Sequence, residues 1–166
     1  PEEGGVISPG GVGYDINCGV RLLRTDLQWS DAKDRIRPLV EKLFRDIPTG
    51  VGQRGSFVFT KPQLVKLMEQ GVRYVVDQGW GSERDIQFAE AGGRLDNADP
   101  GRVSDRAIMR GADQCGTLGS GNHFLEVQVV DRILDETSAE VMGLREGQIS
   151  VLIHSGSRGL GYQVCD

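Results

Sequence analysis

The positions of the glycines divide this chain into loops and into segments that can form regular structure. Of the 166 residues, 24 are glycine, and they are grouped in a few segments instead of forming one low-complexity run. The segments between these groups can therefore form short strands and helices that pack, while the glycine groups form loops. A chain of this length buries one core of ordinary size, so the sequence predicts one domain.

Both ends of the sequence suggest a truncated chain. The first residue is Pro1 and not methionine, and Cys165 and Asp166 follow what reads as the start of a helix. We therefore expect residues 1–166 to be part of a larger domain that is truncated at both ends.

The regular elements follow from apolar periodicity and from capping residues. In the first half, the sequence predicts a glycine-rich loop over 1–13, a strand over 17–27, a helix from an N-cap at Ser30 to Ile47 that Pro38 splits or kinks, and a loop over 50–56. It then predicts a helix between Pro62 and Gly71, loops and short helices over 77–101, a helix from Ser104 to about Gln114, a strand over 124–130, a helical turn over 141–147 and a buried strand over 148–153. This irregular mixture favours an α+β fold over a doubly wound sheet.

Charge and cysteine use limit the classes of protein to which the chain can belong. The net charge of −5 gives no support for a polyanion partner, so nucleic-acid binding would need a local basic surface. No stretch approaches the roughly 20 apolar residues that cross a bilayer, so no membrane partner is expected. Cys18, Cys115 and Cys165 are widely spaced, which indicates reduced thiols in a cytoplasmic setting. We expect Cys115 and Cys165 to be structural.

The two histidines of the chain are the strongest functional signal. His123 follows the string Gly-Ser-Gly-Asn, and His154 follows the apolar run 149–153 and precedes Ser-Gly-Ser-Arg-Gly. With Asp15 and Cys18 they offer a carboxylate, a thiolate and two imidazoles, which is a ligand set for a transition metal. Each residue alone has a simpler explanation, as a hydrogen-bonded histidine, a turn-forming aspartate or a buried cysteine. Together, beside strands and glycine loops, they predict a metal site.

Three further polar residues lie next to these candidates in the sequence. Asn122 suits either a turn or a contact to phosphate. Glu126 is either an ordinary strand carboxylate or, if buried, an acceptor for the N–H groups of a base such as guanine. Arg158 is either a solvated surface residue or a ligand for phosphate. In the second case its planar guanidinium would bind the phosphate together with the surrounding backbone amides, which would form an anion-binding nest.

Three long strings carry a family resemblance. Residues 8–21 read SPGGVGYDINCGVR, residues 118–126 read LGSGNHFLE, and residues 154–161 read HSGSRGLG. In composition and order these strings resemble the RtcB family of RNA-splicing ligases. The resemblance covers essentially the whole chain, and the chain covers the amino-proximal half or less of the family's catalytic domain. Residues 1–166 would thus be a partial RtcB-like catalytic domain.

The resemblance implies a manganese- and GTP-dependent ligase for tRNA splicing or RNA repair. Such an enzyme joins an RNA 3′-phosphate or 2′,3′-cyclic phosphate end to a 5′-hydroxyl end, and an activating protein is a further expected partner. By similarity, Cys18 bridges two manganese ions, Asp15 and His123 complete one ligand set, and His154 belongs to the other. The GTP site would include Asn122, His123, Phe124, Leu125 and Glu126, with Glu126 on the guanine, while Arg158 would meet substrate phosphate. The histidine that is guanylylated lies downstream, so these 166 residues alone should be inactive.

Ligand chemistry and family resemblance point to different metals. A site of thiolate, imidazole and carboxylate favours zinc before manganese, so manganese rests on the resemblance alone. The same four side chains also fit a mononuclear zinc hydrolase of phosphoesters that uses no nucleotide. A third interpretation is a non-catalytic module that metal stabilises and that binds a partner. GTP-dependent covalent labelling of the intact protein separates the ligase from the hydrolase.

Overall fold

The computed structural model of the protein describes residues 3–6 and 8–166. The chain divides into two compact units, each built from separate stretches. We call Pro1–Ile16, Phe57–Cys115 and Arg158–Asp166 the helical unit, and Asn17–Ser56 with Gly116–Ser157 the sheet unit. The predicted loop over 1–13 includes residues 1, 2 and 7, which lie outside the described residues. The last part of this predicted loop forms a short helix, Pro9–Val12, that the sequence pattern did not predict.

In chain order, the helices and strands are α1 (Pro9–Val12), β1 (Gly19–Gln28), α2 (Trp29–Ala32), α3 (Ile36–Asp46), α4 (Lys61–Gln70), α5 (Val72–Asp77), α6 (Glu83–Phe88), α7 (Asp105–Gly111), β2 (Phe124–Val129), α8 (Glu136–Met142), β3 (Gln148–Ser155) and α9 (Arg158–Cys165). Short 3-10 helices form at Lys33–Arg35, Glu90–Gly93 and Pro100–Arg102. Helices and an antiparallel sheet therefore occur together, which confirms the α+β class.

The described part of the sheet unit contains a three-stranded antiparallel sheet in the order β1-β3-β2. The central strand is the most buried, with Gln148, Ile149 and Ser150 almost inaccessible. The Gln148 side-chain amide donates to the Thr25 carbonyl at 2.6 Å, and the Thr25 hydroxyl donates to the Ile149 carbonyl at 2.6 Å. The predicted strands over 17–27 and 124–130 are confirmed, and the one over 148–153 continues two residues further.

The helix predicted from Ser30 to Ile47 is two helices. α2 begins directly after its N-cap Gln28, so Ser30 lies inside the helix and the predicted cap is wrong. A 3-10 turn over Lys33–Arg35 separates α2 from α3, and Pro38 lies in the first turn of α3. In a continuous helix the proline ring would clash with the carbonyl of Asp34, four residues earlier, which explains why the break lies upstream of the proline.

The helical turn predicted over 141–147 lies too far along the chain. α8 ends at Met142 because Gly143 adopts the left-handed conformation with φ of 65°. It begins after Asp135, whose carboxylate accepts a hydrogen bond from the backbone N–H of Ser138 at 2.6 Å. Hydrogen bonds from the Ser138 hydroxyl and from its backbone N–H hold the pKa of the Asp135 carboxyl below its usual range.

The helical unit packs around a core of Phe59, Leu64, Tyr74 and Ile108. α4 has the predicted bounds, because Thr60 and Gln63 form a capping box and Gly71 follows the last turn. The Ser104 hydroxyl caps α7 as predicted and accepts from the backbone N–H of Ala107 at 3.2 Å. α7 ends at Gly111, three residues before the predicted limit, and α5 had not been predicted.

The lengths and polarity of the helices bear on membrane insertion. Among the residues that the structure describes, no helix has both the length and the apolar character that a bilayer crossing requires.

Candidate metal centre

The three strands of the sheet unit bring three metal-binding side chains to one end of the sheet. Cys18 directly precedes β1, His123 directly precedes β2, and His154 is the penultimate residue of β3. In the sheet register, His154 lies opposite Val20 on one side and opposite Phe124 on the other. Because residues that are directly opposite share a face of the sheet, these two pairings bring the starts of β1 and β2 to His154.

The donor atoms of these residues lie close together. The Cys18 sulfur is 3.2 Å from Nε2 of His154 and 3.4 Å from Nε2 of His123. All three donor atoms lie within 4.8 Å of one another. From metal–sulfur and metal–nitrogen bonds of about 2.3 and 2.05 Å, ligand atoms on one ion are separated by roughly 3.1 to 3.6 Å. Both sulfur-to-nitrogen distances therefore fit a thiolate that shares a divalent transition-metal ion with each imidazole.

The loop before His123 is tied to its surroundings. The Ser155 hydroxyl, which follows His154 in β3, donates to the Leu118 carbonyl at 2.7 Å. On the other side, the backbone N–H of Gly50 donates to the Gly119 carbonyl at 2.7 Å, next to a bridge between Thr49 and Gly119. These bonds hold the loop that delivers His123. Sequence reasoning missed Ser155, because nothing in the local pattern distinguishes it from other serines beside glycine.

Aromatic packing also orients the two histidines. The His123 and His154 rings meet edge to face, with centroids 5.4 Å apart. The Phe124 ring packs edge to face on His154 at the same centroid distance of 5.4 Å. Such contacts restrict ring rotation, so the imidazoles stay directed at the Cys18 sulfur. Phe124 thus has a positioning role that is independent of its predicted place in a nucleotide site.

Two predicted site residues belong to the helical unit. Asp15 is half-buried in a bend after α1, and its role as a ligand stays a prediction. Arg158 is the half-buried first residue of α9 and has a positive φ of 54°, a conformation that non-glycine residues seldom adopt. Its expected contact with phosphate also stays a prediction.

The predicted nucleotide residues divide between two faces of the sheet. Asn122 is an exposed turn residue that precedes His123. Phe124 and Glu126 share one face with His154, because alternate strand residues point to the same side. The exposed Glu126 carboxylate accepts a hydrogen bond from the Gln128 side chain at 2.7 Å. The Leu125 side chain points to the opposite face, where it lines an apolar cleft against α3.

The remaining two cysteines fit the expected structural role. All three cysteines are free thiols. Cys115 packs against the core of the helical unit, and burial raises the pKa of its thiol. The Cys165 thiol donates to the Gly13 carbonyl at 3.6 Å within the same unit. The exposed Cys18 is the cysteine that joins the histidines.

Comparison with protein families gives a match over the full chain. A family model described as tRNA-splicing ligase RtcB matches residues 1–166. The tRNA-splicing ligase RtcB of Thermococcus kodakarensis is 53% identical over 160 residues, which are 96% of this chain and 33% of the relative.

Two other relatives of the same name show similar values. The protein of Methanococcus maripaludis is 49% identical over 99% of this chain and 34% of its own length. That of Archaeoglobus fulgidus is 52% identical over 97% of this chain and 33% of its own length. The chain thus spans about a third of the length of the relatives that it matches.

Proposed function

This chain belongs to the RtcB family, and from that premise we propose that the protein is an RNA ligase of tRNA splicing whose metal is held by Cys18, His123 and His154. The relatives are named tRNA-splicing ligases, which supports RNA as the substrate. The observation that carries the assignment of the metal centre is the convergence of one sulfur and two imidazole nitrogens within 4.8 Å.

The metal centre and its chemistry are part of the proposal. We propose that Cys18 would hold two manganese ions in common, with Asp15 and His123 completing one ligand set and His154 belonging to the other. A divalent ion held there would supply Lewis acidity toward a phosphoryl oxygen. The protein side chains set its position: the strand ends hold the donors, and Phe124 together with the Ser155 hydrogen bond limits their movement.

The RNA ends and the nucleotide are the finer part of the proposal. We propose that a 3′-phosphate or 2′,3′-cyclic phosphate end is joined to a 5′-hydroxyl end, with GTP and a guanylylated histidine that lies outside these 166 residues. Asn122 to Glu126 would contribute to the GTP site. The position of Glu126 on the same sheet face as His154 supports this, because a carboxylate there can accept hydrogen bonds from guanine. Arg158 would bind substrate phosphate, and an activating protein is a further proposed partner.

The cellular compartment of the protein is also part of the proposal. Three free thiols fit a reducing compartment, so we propose that the protein acts in the cytoplasm.

The test compares two cysteine substitutions in the intact protein. Cys18→Ala should lose manganese, measured by elemental analysis, and should lose RNA joining. Cys115→Ala is the matched control and should retain both, because Cys115 packs in the core of the helical unit. Undiminished joining by Cys18→Ala would refute the metal assignment.

A second test separates the ligase from the zinc phosphoester hydrolase. The family match favours the ligase. The intact protein should become covalently labelled when it is incubated with radioactive GTP and manganese, since a simple hydrolase forms no guanylylated histidine. Phosphate release without labelling would favour the hydrolase, and metal-dependent folding without turnover would favour a binding module.

A further inference from the structure

Helix α3 has one solvated face and one apolar face. On the solvated face, Lys42 pairs with Asp46, one helical turn further along. On the apolar face, 82% of the Phe44 surface is exposed and Val40 is half exposed. No residue of α3 is buried, although every one lies in the described part of the chain. An amphipathic helix of a globular protein normally buries its apolar face, and that of α3 is only partly covered.

The exposed part of this face borders a cleft. The cleft lies between α3 and β2 in the sheet unit and has a volume of about 170 Å³. Its apolar lining includes Val40, Leu43 and Phe44 from α3, Leu125 and Val127 from β2, and Leu118 from the loop before His123. A cavity of about 150 Å³ with a similar lining holds a benzene molecule. The cleft therefore has room for one bulky apolar side chain.

The length of the relatives and the small exposed area indicate what kind of polypeptide covers the cleft. About two thirds of each relative's length lies outside the part that this chain matches. A stable dimer buries about 800 Å² per partner over some 20 to 30 residues. The large exposed residues of α3 that line the cleft are two, Val40 and Phe44, which is far fewer. An intramolecular contact suits this small area better than a second copy of the chain.

We propose that the cleft between α3 and β2 receives a bulky apolar side chain from the part of the RtcB polypeptide outside these 166 residues, and that this contact covers Phe44. The contact joins the sheet unit to the rest of the protein on the face opposite His154 and Glu126, because Leu125 and Val127 alternate with Glu126 along β2. The proposal rests on family membership and on packing, and it is independent of the ligase activity.

The experiment compares two cysteines on the same helix of the full-length protein. Phe44→Cys and Lys42→Cys are treated with a maleimide, and labelling at each position is followed by peptide mass spectrometry. Labelling of the cysteine at position 44 should be at least about tenfold slower than at position 42, on the opposite side of the helix, because a buried thiol reacts through local opening. Equal rates would overturn the proposal. Protection that disappears on dilution would also overturn it, since it would identify a second copy as the cover.

A second measurement needs no substitution. Hydroxyl-radical footprinting of the unmodified full-length protein reports the solvent exposure of the Phe44 ring. We expect the oxidation rate of Phe44 to rise at least about tenfold when the protein is unfolded in urea. An oxidation rate that is the same in the native and unfolded protein would overturn the proposal even if Phe44→Cys failed to fold.

Discussion

The Cys18 sulfur lies 3.2 Å from Nε2 of His154, although 136 positions separate the two residues in the chain. The antiparallel pairing of β1 with β3 produces this approach, because Val20, two residues after Cys18, lies directly opposite His154. The distance is within the range for two ligands of one ion. The sheet register, and not any local motif, therefore builds the candidate metal centre.

Metal uptake by these side chains should release protons. A thiol must ionise and an imidazole must be neutral before either can bind a metal, so the affinity for a divalent ion should fall as the pH decreases. Calorimetric titration of the intact protein in buffers of different ionisation enthalpy measures this release. A binding enthalpy that is the same in every buffer would contradict a site of Cys18 and the two histidines.

The hydrogen bond from Ser155 to the Leu118 carbonyl should affect metal binding more than its contribution to stability suggests. In Ser155→Ala we expect the free energy of unfolding to fall by about 1 kcal/mol. Metal affinity should fall roughly tenfold, because the loop that holds His123 loses an anchor. Ser138→Ala, in α8, is the control and should leave metal affinity unchanged. Wild-type affinity in Ser155→Ala would show that the bond has no positioning role.

Local sequence patterns predicted which helices and strands exist better than they predicted the residues at which these begin and end. α4 was predicted close to its bounds because the chain carries a start and a stop signal for it, a proline at position 62 in the first turn and a glycine at position 71. α8 was misplaced because Asp135, an aspartate with no Glu or Gln three residues later, gives a weak start signal. The apolar run before His154 marked β3, but pairing with β1 extends the strand to Ser155.

The candidate site was predictable as a set of residues but not as a geometry. The chemistry of Cys18, His123 and His154 is visible in the sequence, since thiolate and imidazole beside glycine loops are typical of metal ligands. Their convergence depends on the strand order, which local periodicity does not determine. The opposite orientation of Leu125 relative to Glu126 follows only once the strand is known to pack against α3 on one face.

The contact between α7 and α9 should be sensitive to a single added methyl group. A Cβ at Gly111 would lie 2.8 Å from Cβ and 3.0 Å from Cδ1 of Leu160. Such overpacking costs about 1 to 3 kcal/mol. This exceeds the gain of at most about 1 kcal/mol that alanine brings to a helix. Urea denaturation of Gly111→Ala should therefore show a lower unfolding midpoint than the wild type.

A double-mutant cycle tests whether contact with Leu160 causes the loss of stability in Gly111→Ala. In the background of Leu160→Gly, the substitution Gly111→Ala should cost less, because Cβ, Cγ and Cδ1 of Leu160, the atoms that the new methyl group meets, have been removed. Additive losses would mean that the strain at position 111 has another source.

The buried thiol of Cys115 should make the stability of the protein depend on alkaline pH. Burial raises the pKa of this thiol above its ordinary value, so folding favours the neutral form. Its contribution to stability is fully present below the ordinary thiol pKa and is lost as the pH rises through the raised value. As the pH rises above the ordinary thiol pKa of about 8.5, the urea midpoint of the intact wild-type protein should therefore fall more than that of Cys115→Ala. Other groups that titrate in this range are common to both proteins, so the difference between the two slopes isolates the thiol. Parallel slopes would show that Cys115 meets water in the folded protein.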